Sequence, residues 1–379
     1  MSQPALAGRT TVPFVDLRAS NEPIREEVLA AVSGLIDSSA FVNGPAVASF
    51  ERAFAAYCGT ADAVGLASGL DALRLALVAA GVGPGDEVVV PAHTFVATVE
   101  AVTQAGATPV LADVSELAYT LDPAAAEAAA TERTAALLPV HLYGQMGDMR
   151  ALAAVAERCG AMILEDACQA HGAERDGLRA GAVGFAGAFS FYPAKNLGAM
   201  GDAGALTTDD ETLAATVRAL REHGQRRKYE YESEGWTARL DTIQAIVLER
   251  KLRLLDGWNE ARRAAARMLT EGLTGVGDLV LPQVASASAP VWHLYVVRTA
   301  DPDRLGAFLR ERGVASGRHY PEPVHLTKPY MGLGYTSGAF PVAEQLAREG
   351  LSLPIFPGIS EAQVTAVVDG VRAYFDRGG

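Results

Sequence analysis

Hydrophobic and polar positions follow two regimes along this chain. Up to about residue 236, the short apolar runs ADAVGLA, DEVVVP, ATPVLADV, TAALLPVHL and AMILEDA read as buried strands. Alanine-rich stretches at helical spacing, such as SGLDALRLALVAAG and DMRALAAVAERCG, fall between them. SNEPIREEVLAAVSGLI, with Ser20 or Asn21 as cap and Pro23 early, predicts a leading helix. Near-continuous apolar strands alternating with helices predict an α/β fold whose mostly parallel sheet is covered on both faces. Ligands of such sheets bind beyond the carboxyl ends of the strands. Attention therefore falls on the loops after Ala67, Pro91, His141 and Glu165.

From about Thr237 the regime changes. TIQAIVLERKLRLLDGWNEARRAAARMLTEGL predicts one or two long helices, VWHLYVVRT a strand, and DRLGAFLRERG and VTAVVDGVRAYF two further helices. This is a smaller α+β lobe. The chain has 379 residues, more than one hydrophobic core usually serves. The predicted division is a large domain over 1–250 and a small one over 251–379, which the N-terminal helix can join.

Composition narrows the class. A chain that is 49% hydrophobic and 20% charged is an enzyme-like globule rather than a disordered or fibrous one. No apolar run reaches membrane-spanning length, since VVVPAHTFVATVEAV is broken by Pro91 and His93. MSQPALAGRTTVPF lacks the charged start and apolar stretch of a signal peptide. The three cysteines, 58, 159 and 168, show no metal-ligand spacing and point to a reduced, cytoplasmic protein. A formal net charge of −13 argues against broad nucleic-acid binding, though not against an anionic substrate met by a local basic cluster. GVGPGDEVVV is glycine-rich, but its glycines precede a strand, opposite to the order a dinucleotide site needs.

Candidate chemistry centres on SFYPAKNLGAMGDAG, residues 190–204. The chain has 28 arginines but lysine only at 195, 228, 251 and 328, so a lysine here invites a role arginine cannot fill. One such role is to lose a proton and attack a carbonyl. Asp166 follows an apolar strand in AMILEDACQAHGA and reads either as a cap for the next segment or as a buried carboxylate at a strand end. Ser68 and Gly69 in LASGLDALRLAL open a helix and read either as an ordinary cap or as an anion cradle. Phe95 in PAHTFVAT is either core or a ring that stacks on a ligand. An amine, a carboxylate and a phosphate anchor are together what pyridoxal phosphate requires.

These segments resemble the DegT/DnrJ-type sugar aminotransferases, a branch of the fold-type-I pyridoxal-phosphate enzymes. The resemblance is carried by FVNGPAVASFE, SGLDAL, VPAHTFVAT, PVHLYGQ, EDACQAHGA, SFYPAKNLGAMGDAG, RLDTIQA, HYPEPVHL and LSLPIFPGIS, in order over nearly the whole chain. It implies an aspartate-aminotransferase-like fold with a seven-stranded sheet in the large lobe. It makes Lys195 the Schiff-base lysine and proton shuttle, and pairs Asp166 with the ring nitrogen of pyridoxal 5'-phosphate, which passes through its PMP form. Gln169 would lie near the ring hydroxyl, Phe95 on the ring face, and Ser68, Gly69, Leu70 and Ser190 around the phosphate. Gly198, Gly201 and Gly204 would let the backbone pass close to the cofactor. Members are homodimers with interfacial sites, in which an asparagine before RLD reaches the partner's phosphate. Here that place holds Thr237, and Leu70 stands where many relatives have threonine.

The implied reaction moves an amino group from L-glutamate to the ketone of a nucleotide-linked sugar. The HG…KY spacing before GWTARLD is similar to enzymes acting on dTDP-3-keto-6-deoxyhexoses, with a 4-keto sugar as the alternative. Lys228 and Tyr229, in REHGQRRKYEY, are either sugar-nucleotide contacts or part of a solvated loop. Tyr192, His319 and Tyr320 match sugar-contacting positions, the last two reading equally as packing before Pro321, and His325 is a further candidate. A dehydratase of the same family would carry histidine in place of Lys195, and a non-catalytic regulatory homologue would have lost Lys195 or Asp166.

Overall fold

The computed structural model describes residues 10–378. The first nine residues, on which much of the reading of the N-terminus rests, lie outside the described residues. Seven strands form the main sheet: β1 (Asp62–Leu66), β2 (Glu87–Pro91), β3 (Thr108–Ala112), β4 (Thr134–Leu137), β5 (Met162–Asp166), β6 (Ala186–Ser190) and β7 (Gly204–Thr208). Their spatial order is β1-β7-β6-β5-β4-β2-β3. β3, β2, β4, β5 and β6 pair in parallel, and β7 runs antiparallel between β6 and β1.

Alternation along the strands sends successive side chains to opposite faces. Val88 and Val90 join Leu73, Ala76 and Val99 on one face, while Val89 joins Phe50, Phe54 and Leu152 on the other. Five of the strands coincide with the apolar runs in the sequence. The fourth is shorter than TAALLPVHL suggests, because Pro139 ends regular pairing and only an isolated bridge, Val140 to Asp166, continues it.

Beyond the sheet, helices Thr242–Leu252 and Leu255–Leu273 follow in succession. The second lies over a two-stranded antiparallel pair, β8 (Tyr295–Arg298) with β9 (Gly350–Leu353), together with helices Pro302–Glu311 and Glu361–Phe375. Val12 bridges to Val314 and is buried in this cluster. The leading helix is Arg25–Ser38, which packs through Val28 on Val247. Its expected cap is corrected here. Asn21 makes no side-chain cap, and Pro23 sits in a single 3-10 turn, Glu22–Ile24, before the α-helix starts.

Candidate active site

The lysine segment is a loop between two neighbouring antiparallel strands, β6 and β7. Phe191 N donates to Ala203 O at 2.7 Å across its base, and Ala199 N donates back to Phe191 O at 2.7 Å. Within it Lys195 N donates to Tyr192 O at 2.8 Å, closing a tight turn. The glycines here serve close approach to protein. A Cβ at Gly198 would stand 2.2 Å from Pro193 O, and one at Gly204 would stand 2.3 Å from Ser68 O. At Gly201 it would stand 2.8 Å from the Gln244 amide. The loop is thus pinned on several sides, which fixes where its lysine starts.

Burial pulls the Lys195 pKa below the ordinary lysine value, although Cys168 and Asp166 act in the opposite sense. Its charge acts on three imidazoles. Burial and then the Lys195 charge push His171 down to about 3 and His319 down to about 4, and push His293 well below its ordinary value. A desolvated amine among neutral imidazoles is a nucleophile in waiting.

Asp166 is the last residue of β5 and is buried. Thr98 Oγ1 donates to its Oδ2 at 2.8 Å, and Cys168 N donates to Oδ1 at 3.2 Å. Asp166 therefore caps a tight turn, not a helix, and remains within Coulomb reach of Lys195. Gln169 is buried beside it. Its Oε1 accepts from Tyr143 N at 2.8 Å and its Nε2 donates to Tyr320 Oη at 3.1 Å.

Ser68 caps helix Gly69–Ala79, accepting from Asp71 N at 3.0 Å and donating to the Asp71 carboxylate at 2.9 Å. The first N–H groups of that helix, at Gly69 and Leu70, have no intrahelical acceptor. A Cβ at Gly69 would stand 2.6 Å from Cys168 Sγ and 2.8 Å from Ser190 Cβ, so only glycine lets the helix start meet the ends of β5 and β6. The Ser190 hydroxyl accepts from Tyr192 N at 3.3 Å. A capped helix start with two free N–H groups, a buried carboxylate and an amine thus gather around the carboxyl ends of β5 and β6.

Phe95 is 50% exposed, which removes the core reading, and its ring lies 5.5 Å from that of Tyr320. His319 stacks on Phe14 at 5.4 Å and its Nδ1 pairs with Ser352 Oγ at 2.8 Å. Tyr192 is exposed beside the lysine. Lys228 and Tyr229 are elsewhere, on an exposed hairpin, Gln225–Arg227 with Glu230–Tyr231, where the Lys228 amine lies 5.3 Å from the Tyr229 ring. Thr237 is exposed and its hydroxyl pairs with His223 Nε2 at 3.1 Å. His325 is a correction: it is fully enclosed, with Nε2 on Glu344 at 3.1 Å and its ring against Phe340, which belongs to the core of the main sheet, so it packs that core and faces no open site.

The structure adds residues that the sequence did not mark. Thr98 shares a hydrogen bond with Thr94 at 2.8 Å, one helical turn away, so PAHTFVAT held a signal in its threonine spacing. Tyr143, whose hydroxyl bonds His93 at 2.8 Å and also the His319 carbonyl, joins segments too distant in sequence for any local signal.

Residues 22–372 match the DegT/DnrJ/EryC1/StrS aminotransferase family. The chain is 49% identical over 366 residues to the dTDP-3-amino-3,4,6-trideoxy-alpha-D-glucose transaminase of Streptomyces venezuelae, covering 97% of each. It is 42% identical to the UDP-N-acetyl-3-dehydro-alpha-D-glucosamine 3-aminotransferase of Acidithiobacillus ferrooxidans, covering 96% of this chain and 98% of that one. The crystal structure of S. venezuelae DesV in complex with a ketimine intermediate superposes with a TM-score of 0.94 at 49% identity, over 96% of this chain and 98% of that one. The chain therefore belongs to the DegT/DnrJ/EryC1/StrS aminotransferase family and is a pyridoxal-phosphate-dependent sugar aminotransferase.

Proposed function

We propose that this enzyme moves the amino group of L-glutamate to C-3 of a dTDP-linked 3-keto-6-deoxyhexose, in deoxyaminosugar biosynthesis. The observation that carries the reaction is the convergence of the desolvated Lys195 amine with the buried Asp166 carboxylate. Position C-3 is supported by both relatives described above, each named for a 3-amino product or a 3-keto substrate. The base is supported by the higher identity to the dTDP-sugar enzyme.

The residues fit pyridoxal phosphate in chemistry: the Gly69 and Leu70 N–H groups behind the Ser68 cap have no intrahelical acceptor, Asp166 is a buried carboxylate, and Lys195 is a desolvated amine. When bound, the cofactor supplies an electrophilic carbon and an electron sink for the donor's α-carbon. Lys195 would hold it covalently and then carry the proton between donor and cofactor carbons. Asp166 would keep the ring nitrogen protonated, with Thr98 and Cys168 N fixing the carboxylate. Ser68, Gly69, Leu70 and Ser190 would take the phosphate, Gln169 the ring hydroxyl, and Phe95 the ring face. Tyr192, His319 and Tyr320 would orient the sugar, and Lys228 and Tyr229 would meet the diphosphate from their hairpin.

The working unit is a homodimer in this reading. Phe41, Val42, Met200 and Ile243 are exposed and adjoining, tied together by the Val42–Asp241 bridge and the Met200 N to Gln244 bond. Thr237 would then serve the phosphate across the interface. Residues 1–250 would carry the cofactor and 251–379 close over it, in the cytoplasm.

Borohydride reduction tests the centre of this reading. The wild-type chain gains the mass of the reduced cofactor on Lys195, and Lys195→Ala gains none. A covalent adduct in the alanine variant removes Lys195 from its role. Glutamate-dependent amination of a panel of dTDP- and UDP-linked 3-keto and 4-keto sugars tests the acceptor, and preference for a 4-keto sugar overturns it.

A further inference from the structure

Tyr143 sits in the 3-10 turn Leu142–Gly144 beyond β4, with its backbone in the left-handed region at φ 59° and ψ 8°. A tyrosine rarely adopts that conformation, which persists only where surrounding bonds hold it. Here three do so. Its N–H donates to Gln169 Oε1 at 2.8 Å, its carbonyl accepts from Leu294 N at 3.4 Å, and its hydroxyl donates to the His319 carbonyl.

The proton directions in this cluster are fixed by groups that act in one sense only. The His319 carbonyl only accepts, so the Tyr143 hydroxyl spends its proton there. His93 Nε2, 2.8 Å from the same hydroxyl, must then be the donor, which leaves His93 Nδ1 bare, and that atom is buried without a partner. A backbone N–H only donates, so Gln169 turns its oxygen to Tyr143 and its NH2 to the Tyr320 hydroxyl at 3.1 Å. Tyr320 therefore accepts from Gln169, and its own proton has no acceptor among the described residues. Burial holds the Tyr320 phenol above its ordinary value, so the proton stays in place at working pH.

Tyr143 thus reaches both ends of Tyr320: the hydroxyl through the Gln169 amide, and the backbone through the preceding carbonyl. The Tyr320 ring between them lies 6.4 Å from that of His93 and 5.5 Å from that of Phe95. The His319 ring, by contrast, has its own anchors in Ser352 and Phe14. On the reading above that Tyr320 orients the sugar, we infer that Tyr143, with His93 behind it, is the positioning residue that aims the Tyr320 hydroxyl as a hydrogen-bond donor to an oxygen of the sugar acceptor.

The test uses the cofactor-loaded enzyme and follows each half-reaction in single turnover by the change in cofactor absorbance. Glutamate is added to the loaded enzyme, and a keto sugar to the aminated enzyme. The sugar is whichever member of the panel above is accepted, so a wrong acceptor assignment leaves the test intact. Tyr143→Phe removes the hydroxyl and keeps the N–H. It raises the half-saturating concentration of sugar about fivefold, the worth of one hydrogen bond, and leaves the glutamate step within about twofold. Tyr320→Phe weakens the sugar step too, and in the double variant the two effects fall short of multiplying, because Tyr143 acts through Tyr320. His93→Phe spares the Tyr143 bond to His319 and moves the sugar step the same way by less; it replaces Tyr143→Phe in the cycle should that variant fail to fold. An unmoved sugar step or equal damage to both steps in Tyr143→Phe, or effects that multiply in full, make Tyr143 a structural brace and overturn the inference. A Tyr320→Phe enzyme with an unchanged sugar step instead removes Tyr320 from the sugar site, and the inference falls with that reading.

Discussion

Glu165 and Asp166 are adjacent carboxylates at the end of β5, and strand alternation turns them to opposite faces of the sheet. On one face Glu165 is fully buried and saturated. Its Oε2 accepts from His141 Nε2 at 2.8 Å and Gly181 N at 3.0 Å, and its Oε1 accepts from Val183 N at 2.7 Å and Gly184 N at 2.9 Å. On the other face Asp166 has one side-chain donor and one long backbone donor, and looks toward Lys195. The same functional group, one residue apart, is a brace on one face and, on the reading proposed above, a reagent on the other. What separates them is how much of their hydrogen-bonding capacity the protein itself consumes.

The sharpest way to break that contrast is Glu165→Gln. An amide accepts on one atom only, so its NH2 would meet two N–H donors head-on. The His141 tautomer cannot adapt freely, because its Nδ1 already accepts from Gly147 N at 3.3 Å. We expect a loss of about 3–5 kcal/mol of stability, the cost of breaking a buried charged network, measured by urea denaturation. A loss under about 1 kcal/mol would show that the brace is ornamental. The pH dependence has a definite sign. Burial pushes the Glu165 carboxyl up, but His141 and the backbone N–H groups outweigh it and hold the group below its ordinary value. Its contribution is therefore present above the unfolded carboxyl value of about 4.3 and is lost as pH falls through the lower folded value.

Asp166→Asn comes next and should separate activity from stability. The amide serves one of the two donors, so stability falls by about 1 kcal/mol. The charge is gone, and on the reading proposed above a hydrogen bond between charged groups worth roughly 1.5–3 kcal/mol disappears from the rate-determining chemistry. Turnover then drops about 10- to 150-fold at unchanged fold, measured at saturating glutamate and sugar. A variant with near-normal turnover would make Asp166 a second brace and erase the contrast.

How much of this was readable in the sequence differs between the two faces. The strand bearing both acids stands out as AMILEDA, and Lys195 and Asp166 stand out as candidate chemistry. The strands that frame the lysine loop do not, because AGAFS and GALTT are built of small residues rather than β-branched runs. Packing explains that choice: a Cβ at Gly187 would stand 2.4 Å from the Gly181 Cα, so bulk at that point would part the sheet from the loop that Glu165 binds. His325 misleads because its neighbour Glu344 is nineteen positions away and no local pattern reveals the pair.

Thr98→Val is the gentlest probe of the Asp166 face. Asp166 only accepts here, so the Thr98 hydroxyl must spend its proton on the carboxylate and accept from Thr94. The direction of this short chain is thereby fixed, and valine removes it without changing the volume of the site. Thr94 loses its acceptor and Asp166 keeps only Cys168 N. One such hydrogen bond is worth about 0.5–1.5 kcal/mol, which corresponds to a fall in turnover of about two- to twelvefold, with a stability change no larger. The ratio to Asp166→Asn is the informative quantity. If Thr98→Val costs as much turnover as Asp166→Asn, then aiming the carboxylate matters as much as its charge, and the reagent face is braced after all.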